Sequence, residues 1–201
     1  MDTKMKIFIA SGNPHKVEEI KAIIETSYEN LNLEFCSTQG IDIPEPDEPY
    51  QTFMENARHK AEYYARFTGA PTLSEDAGLC IKALENFPGV YTKDFLTESG
   101  SFENAFSALD KMLMEKKNHA AYFVCAAALY LPLKNNFITF EGKSSGGISF
   151  PARGNKCFGF DPIFVPAGYS ETMAELGPDV KNSIGARAMA IRGILGQLII
   201  L

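Results

Sequence analysis

The stretch Lys6-Ile7-Phe8-Ile9-Ala10-Ser11-Gly12-Asn13-Pro14-His15-Lys16-Val17, continuing to Ile24, decides the fold class. Its first five residues make a short apolar run, and the turn formers Ser11 to Pro14 stop it. Val17, Ile20, Ile23 and Ile24 then recur at helical spacing. A strand turning directly into an amphipathic helix is the repeating piece of an α/β protein. The alternation continues outward from it. Leu33 to Ser37 reads as a second strand. Thr52-Phe53-Met54-Glu55 has the form of a capping box, and Ala57, Ala61, Tyr64 and Ala65 carry a helix to about Phe67, ended by Thr68-Gly69. Pro71 to Glu75 reads as a strand and Leu79 to Leu84 as a separate apolar piece. Phe102 to Met114 has helical periodicity. Residues 120–131 and 136–142 read as long paired strands, turned by Lys134-Asn135-Asn136. Ile163 to Val165 is a short strand. A last helix is expected from near Ser183, with Ile184, Ala188, Ile191, Leu195 and Leu198 on one face. Helices interleaved with long, hairpin-like strands predict an α/β fold with a mixed sheet.

Composition narrows the class. The 201 residues suit one large domain or a two-lobed single domain with a well-buried core. Against 25 Asp and Glu stand 19 Lys and Arg, a net charge of -6, which disfavours non-specific grip on nucleic acid. A small anionic ligand held by a few local cations and a metal stays compatible with that balance. Cys36, Cys80, Cys125 and Cys157 form no C-x-x-C pair and have no histidine at zinc spacing, so they read as buried free thiols. The apolar run at Ile7 to Ala10 is too short for a signal peptide, and Ala120 to Leu133 is too short to span a bilayer. A cytoplasmic protein is expected. His15, His59 and His119 are far apart; His59 reads as an exposed helix residue and His119 as a loop residue, so nothing favours a Ser-His-Asp mechanism. No repeat, low-complexity linker or long charge run interrupts the chain.

Four segments carry possible chemistry. In Ser11-Gly12-Asn13-Pro14-His15-Lys16, Asn13 can cap the helix, Pro14 suits its first position, and Lys16 adds a charge beside the exposed N–H groups. The spacing is not that of a Walker P-loop, and alone it describes a capped helix with a surface lysine. The acidic set Glu45, Asp47 and Glu48, followed by Glu75-Asp76, offers the hard oxygens that magnesium requires. Placed at a strand's C-terminal end before Ala77-Gly78, Glu75 and Asp76 would lie where open α/β sheets hold their ligands. Alone, the first group describes a solvated loop and the second a cap or turn. Phe158-Gly159-Phe160-Asp161-Pro162 can form a flat slot for a base with Asp161 as acceptor, or a strand-entry turn with core aromatics. In Lys181-Asn182-Ser183-Ile184-Gly185-Ala186-Arg187, read as the start of the last helix, Lys181 and Arg187 can reach phosphate and base, or be ordinary surface cations.

The order of these segments is more specific than any one of them. SGNPHK, TFMENARHKA, LSEDAGLCIKAL-ENFPGVY, FGFDPIFVPAGYSETMAEL and KN-x-I-x-x-R follow one another from about Lys6 to the C-terminal helix. In this the chain resembles the inosine triphosphate pyrophosphatase family, whose members are also called non-canonical purine nucleoside triphosphate pyrophosphatases. The resemblance implies an elongated α/β fold with a central mixed sheet, residues 1–201 forming a single domain of two lobes with a nucleotide cleft between them. It also implies a homodimer, a Mg2+ requirement and a purine nucleoside triphosphate substrate (ITP, dITP or XTP), cleaved to monophosphate and pyrophosphate. By motif position, Ser11, Gly12, Asn13 and Lys16 would hold the phosphates, with Lys60 and Ala77 nearby. Glu48 and Asp76 would bind the metal, and a carboxylate of the Glu75/Asp76 pair would orient or deprotonate the attacking water while Lys16 stabilises the leaving group. Phe158, Gly159, Phe160 and Asp161 would form the base pocket, with Lys181, Ala186 and Arg187 as its far wall.

The chain departs from the family's common pattern at three places. Glu75-Asp76-Ala77-Gly78 stands for D-D-S-G, Thr92-Lys93-Asp94 for S-A-R, and Gly185-Ala186-Arg187 for S-H-R, which removes the histidine that reads the purine 6-oxo group. Two other readings therefore remain open at this level. One is a relative shifted toward modified pyrimidine nucleotides, as in the Maf-like group, and the other is a catalytically weakened nucleotide-binding protein.

Overall fold

The computed structural model describes residues 4–27, 33–37, 42–156 and 158–200. Strand β1 (Met5–Ile9) leads into helix α1 (Pro14–Ser27), and β2 (Leu33–Ser37) follows. After a loop come α2 (Phe53–Thr68) and β3 (Thr72–Ile81), then α3 (Thr92–Ser99) and α4 (Phe102–Leu113). The strands β4 (Ala120–Leu131) and β5 (Asn136–Ile148) are joined by a short 3-10 turn, and β6 (Phe164–Pro166) comes next. Three helices close the chain: α5 (Met173–Leu176), α6 (Pro178–Ile184) and α7 (Ala186–Ile199). The described strands form a six-stranded sheet in the order β2-β1-β3-β4-β5-β6. It is mixed, since β1 runs parallel to β2 and β3 while β5 and β6 are antiparallel.

By its internal contacts the chain divides into two compact units. The first comprises Met1–Asp76, Cys125–Gly142 and Arg187–Leu201. There the helical stripe of α1, Val17, Ile20, Ile23 and Ile24, is buried as its spacing requires. The face of α2 is built from small residues, and Ala57 and Ala61 meet Ala126 and Ala128 of β4 in one cluster. Methyl groups on both sides let helix and strand approach closely. Thr52 caps α2 by accepting from Glu55 N at 3.2 Å. The Glu55 carboxylate returns to the Thr52 hydroxyl (2.6 Å), and Gly69 at φ +65° closes the helix. The second unit, Ala77–Val124 and Lys143–Ala186, packs Leu79, Ile81, Leu109, Leu113, Phe160, Ile163 and Phe164 into its own core.

Several expectations need correction. Leu79 to Leu84 is no separate piece: β3 runs unbroken through Ala77-Gly78 to Ile81. Nearly every residue of β3 is buried, so a break at Gly78 would strand backbone groups away from water. The last helix begins at Ala186 rather than near Ser183, because Gly185 is extended (φ −71°, ψ 152°) and separates α6 from α7. Helix α3 was not expected, and β5 runs six residues beyond 142 to Ile148. His59 is half-buried, with Tyr50 edge-on at 5.5 Å, rather than exposed. Cys80 and Cys125 are buried free thiols, whereas Cys36 is only half-buried; Cys157 lies outside the described residues.

Candidate active site

The register of β1 and β3 creates the site. These strands pair in parallel through Ile9↔Leu73, and there β1 stops while β3 continues. Glu75 and Asp76 are thus in mid-strand, not at the C-terminal end of their own strand as expected. They project past the end of a neighbour, beside the turn that starts α1. That turn is held by its own side chains. Asn13 Oδ1 accepts from His15 N (3.0 Å) and Lys16 N (3.4 Å), and Ser11 Oγ accepts from Asn13 N (3.2 Å). Gly12 is exposed, with open space where a Cβ would lie.

Adjacent residues of a strand point to opposite faces, so the two carboxylates serve different surroundings. Glu75 meets groups on α1, β4 and α7. Its Oε1 is 2.8 Å from Lys16 Nζ; its Oε2 lies 3.4 Å from Arg187 Nη2 and accepts from Cys125 Sγ at 3.2 Å. Burial pushes the Glu75 carboxyl up, but Arg187, then Lys16 and Lys60, overcome it and hold the group far below the usual carboxylate range. It is a permanent anion. Arg187 in turn pairs with Glu19 at 2.9 Å.

Asp76 faces α2. Its Oδ2 accepts from Asn56 Nδ2 (3.1 Å), and its Oδ1 lies 3.6 Å from Lys60 Nζ, which also donates to Glu48 Oε1 at 3.0 Å. Asn56 and Lys60 are one helical turn apart on the buried face of α2. Asn56 also bonds both the N–H and the C=O of Tyr50, which ties down the loop that carries Glu48. Burial raises the Asp76 carboxyl to about 6; Lys60 opposes the rise, and the charges of Glu48 and Glu75 add to it. Burial lowers Lys60, yet Asp76, Glu48 and Glu75 outweigh that and leave the ammonium raised. Glu45 and Asp47, the other members of the acidic set, are exposed.

In the second unit Lys181 of α6, not of the last helix, sits 2.7 Å from Asp161 Oδ2 and 3.9 Å above the centroid of the Phe158 ring. Gly159 adopts φ +72°, a conformation that favours glycine. Phe160 is only 3% exposed and packs against Phe95 and Phe106. Ala186 is buried at the start of α7. Arg187, expected beside Lys181, belongs to the first unit, with its guanidinium engaged by Glu19 and Glu75. Asn56, Glu19 and Cys125 went unforeseen. The i, i+4 spacing of Asn56 and Lys60 on an otherwise apolar face was the available signal, since buried amides demand partners.

A mixed α/β sheet that sets buried carboxylates beside two lysines and a capped helix start defines a class of site suited to phosphorylated ligands. The chain belongs to the Ham1 family, whose model matches residues 7–197. It is similar to the dITP/XTP pyrophosphatase of Rhodospirillum centenum, at 37% identity over 95% of this chain and 93% of that one. The corresponding protein of Zymomonas mobilis is 34% identical over 94% and 90%. Among solved structures, a HAM1 protein from Coxiella burnetii superposes with a TM-score of 0.87 at 30% identity, covering 98% of this chain and 100% of that one. The Mycobacterium abscessus nucleoside-triphosphatase / dITP/XTP pyrophosphatase gives 0.71 at 33% identity, over 96% and 97%.

Proposed function

We propose that this chain hydrolyses non-canonical purine nucleoside triphosphates, dITP, ITP and XTP, to the monophosphate and pyrophosphate. The observation that carries the reading is that Glu48, from the loop before α2, and Asp76 of β3 both face the Lys60 ammonium of α2. Burial raises the Asp76 carboxyl to about 6 against Lys60, and the charges of Glu48 and Glu75 add to the rise. Among the described residues no cluster of three or more His, Cys, Asp or Glu forms a metal cage. Magnesium does not need one, since it uses one or two carboxylates and takes further oxygens from phosphates and water. The two carboxylates are hard oxygen donors and fit such an ion. Glu48 and Asp76 would hold it, and when bound it supplies neutralisation of phosphate charge and polarisation at phosphorus.

The chain's own groups do the rest. Asp76, oriented by Asn56, accepts the proton of the water whose oxygen attacks the α-phosphorus as the bond to the bridging oxygen breaks. Ser11, Gly12, Asn13, Lys16 and Lys60 take the phosphates, together with the backbone at Ala77, and Lys16 meets the charge that develops on pyrophosphate. Glu75 supports Lys16 and leaves base chemistry to Asp76. Base recognition falls to Phe158, Gly159, Phe160, Asp161, Lys181, Ala186 and Arg187. Residues 1–201 then act as one functional domain in a cytoplasmic homodimer.

Gly185-Ala186, which lacks the family's histidine, favours a second reading in which base preference is shifted. Pyrophosphate release from a panel of purine and modified pyrimidine triphosphates, with and without magnesium, tests both. Metal-dependent release with inosine or xanthosine nucleotides preferred is expected. No release from any triphosphate would leave only a nucleotide-binding protein.

A further inference from the structure

Four charged side chains of the first unit form an alternating line: Glu19, Arg187, Glu75, Lys16. The separations are 2.9 Å from Glu19 Oε2 to Arg187 Nη1, 3.4 Å from Arg187 Nη2 to Glu75 Oε2, and 2.8 Å from Glu75 Oε1 to Lys16 Nζ. Side-chain exposure along it is 9%, 9%, 1% and 26%, so the line is least accessible at Glu75 and emerges at Lys16. Cys125 Sγ adds a hydrogen bond to Glu75 Oε2, on the arginine's side of the carboxylate.

The separations along the line are unequal. An arginine and a carboxylate left to themselves prefer a forked, two-bond pairing. Here Arg187 lies closer to Glu19 than to Glu75, and Glu75 lies closer to Lys16 than to Arg187. Lys16 and Glu19 are three residues apart on α1, a spacing at which they could pair directly. Glu19 reaches across to α7 and takes Nη1 of the arginine, while Nη2 meets Glu75.

We propose that Glu19 is a positioning residue: by engaging Arg187 it leaves one oxygen of Glu75 to Lys16 and so sets the place of the Lys16 ammonium. Without the Glu19 charge, Arg187 forks onto Glu75 and displaces Lys16 from it. The inference rests on the reading that Lys16 meets the pyrophosphate portion of the substrate.

The test is a double-mutant cycle read by calorimetric affinity for pyrophosphate in the presence of magnesium. Glu19→Gln is expected to weaken binding about tenfold in the otherwise unaltered protein, and less than twofold when Lys16→Ala is already present. Nucleoside monophosphate affinity should change less than twofold. The same loss in both backgrounds, or no loss in either, overturns the proposal, because a merely structural glutamate does not act through Lys16. If Glu19→Gln does not fold, Glu19→Asp, which keeps the charge but shortens the reach, goes through the same cycle. A loss that vanishes in the Lys16→Ala background, or rescue to unaltered affinity by the retained charge, supports the proposal, and equal losses in both backgrounds overturn it. Failure of the unaltered protein to release pyrophosphate from any triphosphate would defeat the functional reading instead.

Discussion

Asp76→Asn should abolish turnover and at the same time make the metal-free protein more stable. Asp76 is 5% exposed, and its carboxyl is raised from 3.8 to about 6 by burial, against Lys60 and with Glu48 and Glu75. A carboxyl raised in the folded state binds more protons folded than unfolded, so its contribution is fully present below the unfolded value. It is lost as pH rises through about 6. Ionised, the side chain costs roughly 3 kcal/mol relative to its neutral form. Asparagine is neutral at every pH and can still accept from Asn56. Its advantage should be small near pH 4 and complete by about pH 7, where it amounts to a rise on the order of 5–10 °C in Tm. Thermal denaturation of both proteins in chelator across this range is the assay. A mutant no more stable than the unaltered protein at neutral pH would refute the reasoning, because Asp76 would then be charged at no cost. Turnover should fall by at least about a hundredfold. Near-normal turnover in saturating magnesium would remove Asp76 from the chemistry altogether.

Lys16→Ala should weaken triphosphate turnover far more than it weakens binding of the monophosphate; equal losses by calorimetry would mean that Lys16 does not serve the phosphate chain. Ala186→His should raise the ratio of kcat/KM for inosine over adenosine triphosphate by roughly tenfold, one hydrogen bond's worth of discrimination. Because Ala186 is buried, overpacking should also lower stability by about 1–3 kcal/mol, and a flat ratio would place base reading elsewhere. Gly146→Ala would drive a methyl into the Val165 carbonyl and the Phe164 ring where β5 meets β6. Urea denaturation should report a loss of at least about 2 kcal/mol, and an unchanged midpoint would contradict that close approach.

Read alone, the sequence determined the elements whose cause is local. Asn13-Pro14 started α1, Thr52 and Gly69 bounded α2, and the apolar stripe of α1 named its buried face, because caps, turns and periodicity act over a few residues. The ordered motifs also brought Lys16, Glu48, Lys60 and Asp76 forward; Lys60 pairs with Glu48 and Asp76, and Lys16 pairs with Glu75. What the sequence left open depended on neighbours from distant parts of the chain. Whether Ala77-Gly78 ended a strand was decided by the cover over both faces of β3, and Phe160 was assigned to the core by Phe95 and Phe106. Only the pleat of β3 separated Glu75 from Asp76. Side by side in sequence, they point to opposite faces, where Arg187 and Lys16 keep one ionised while burial holds the other near 6. Electrostatic character of this kind comes from the charges and the solvent exclusion that tertiary packing assembles around a group, and no local pattern encodes it.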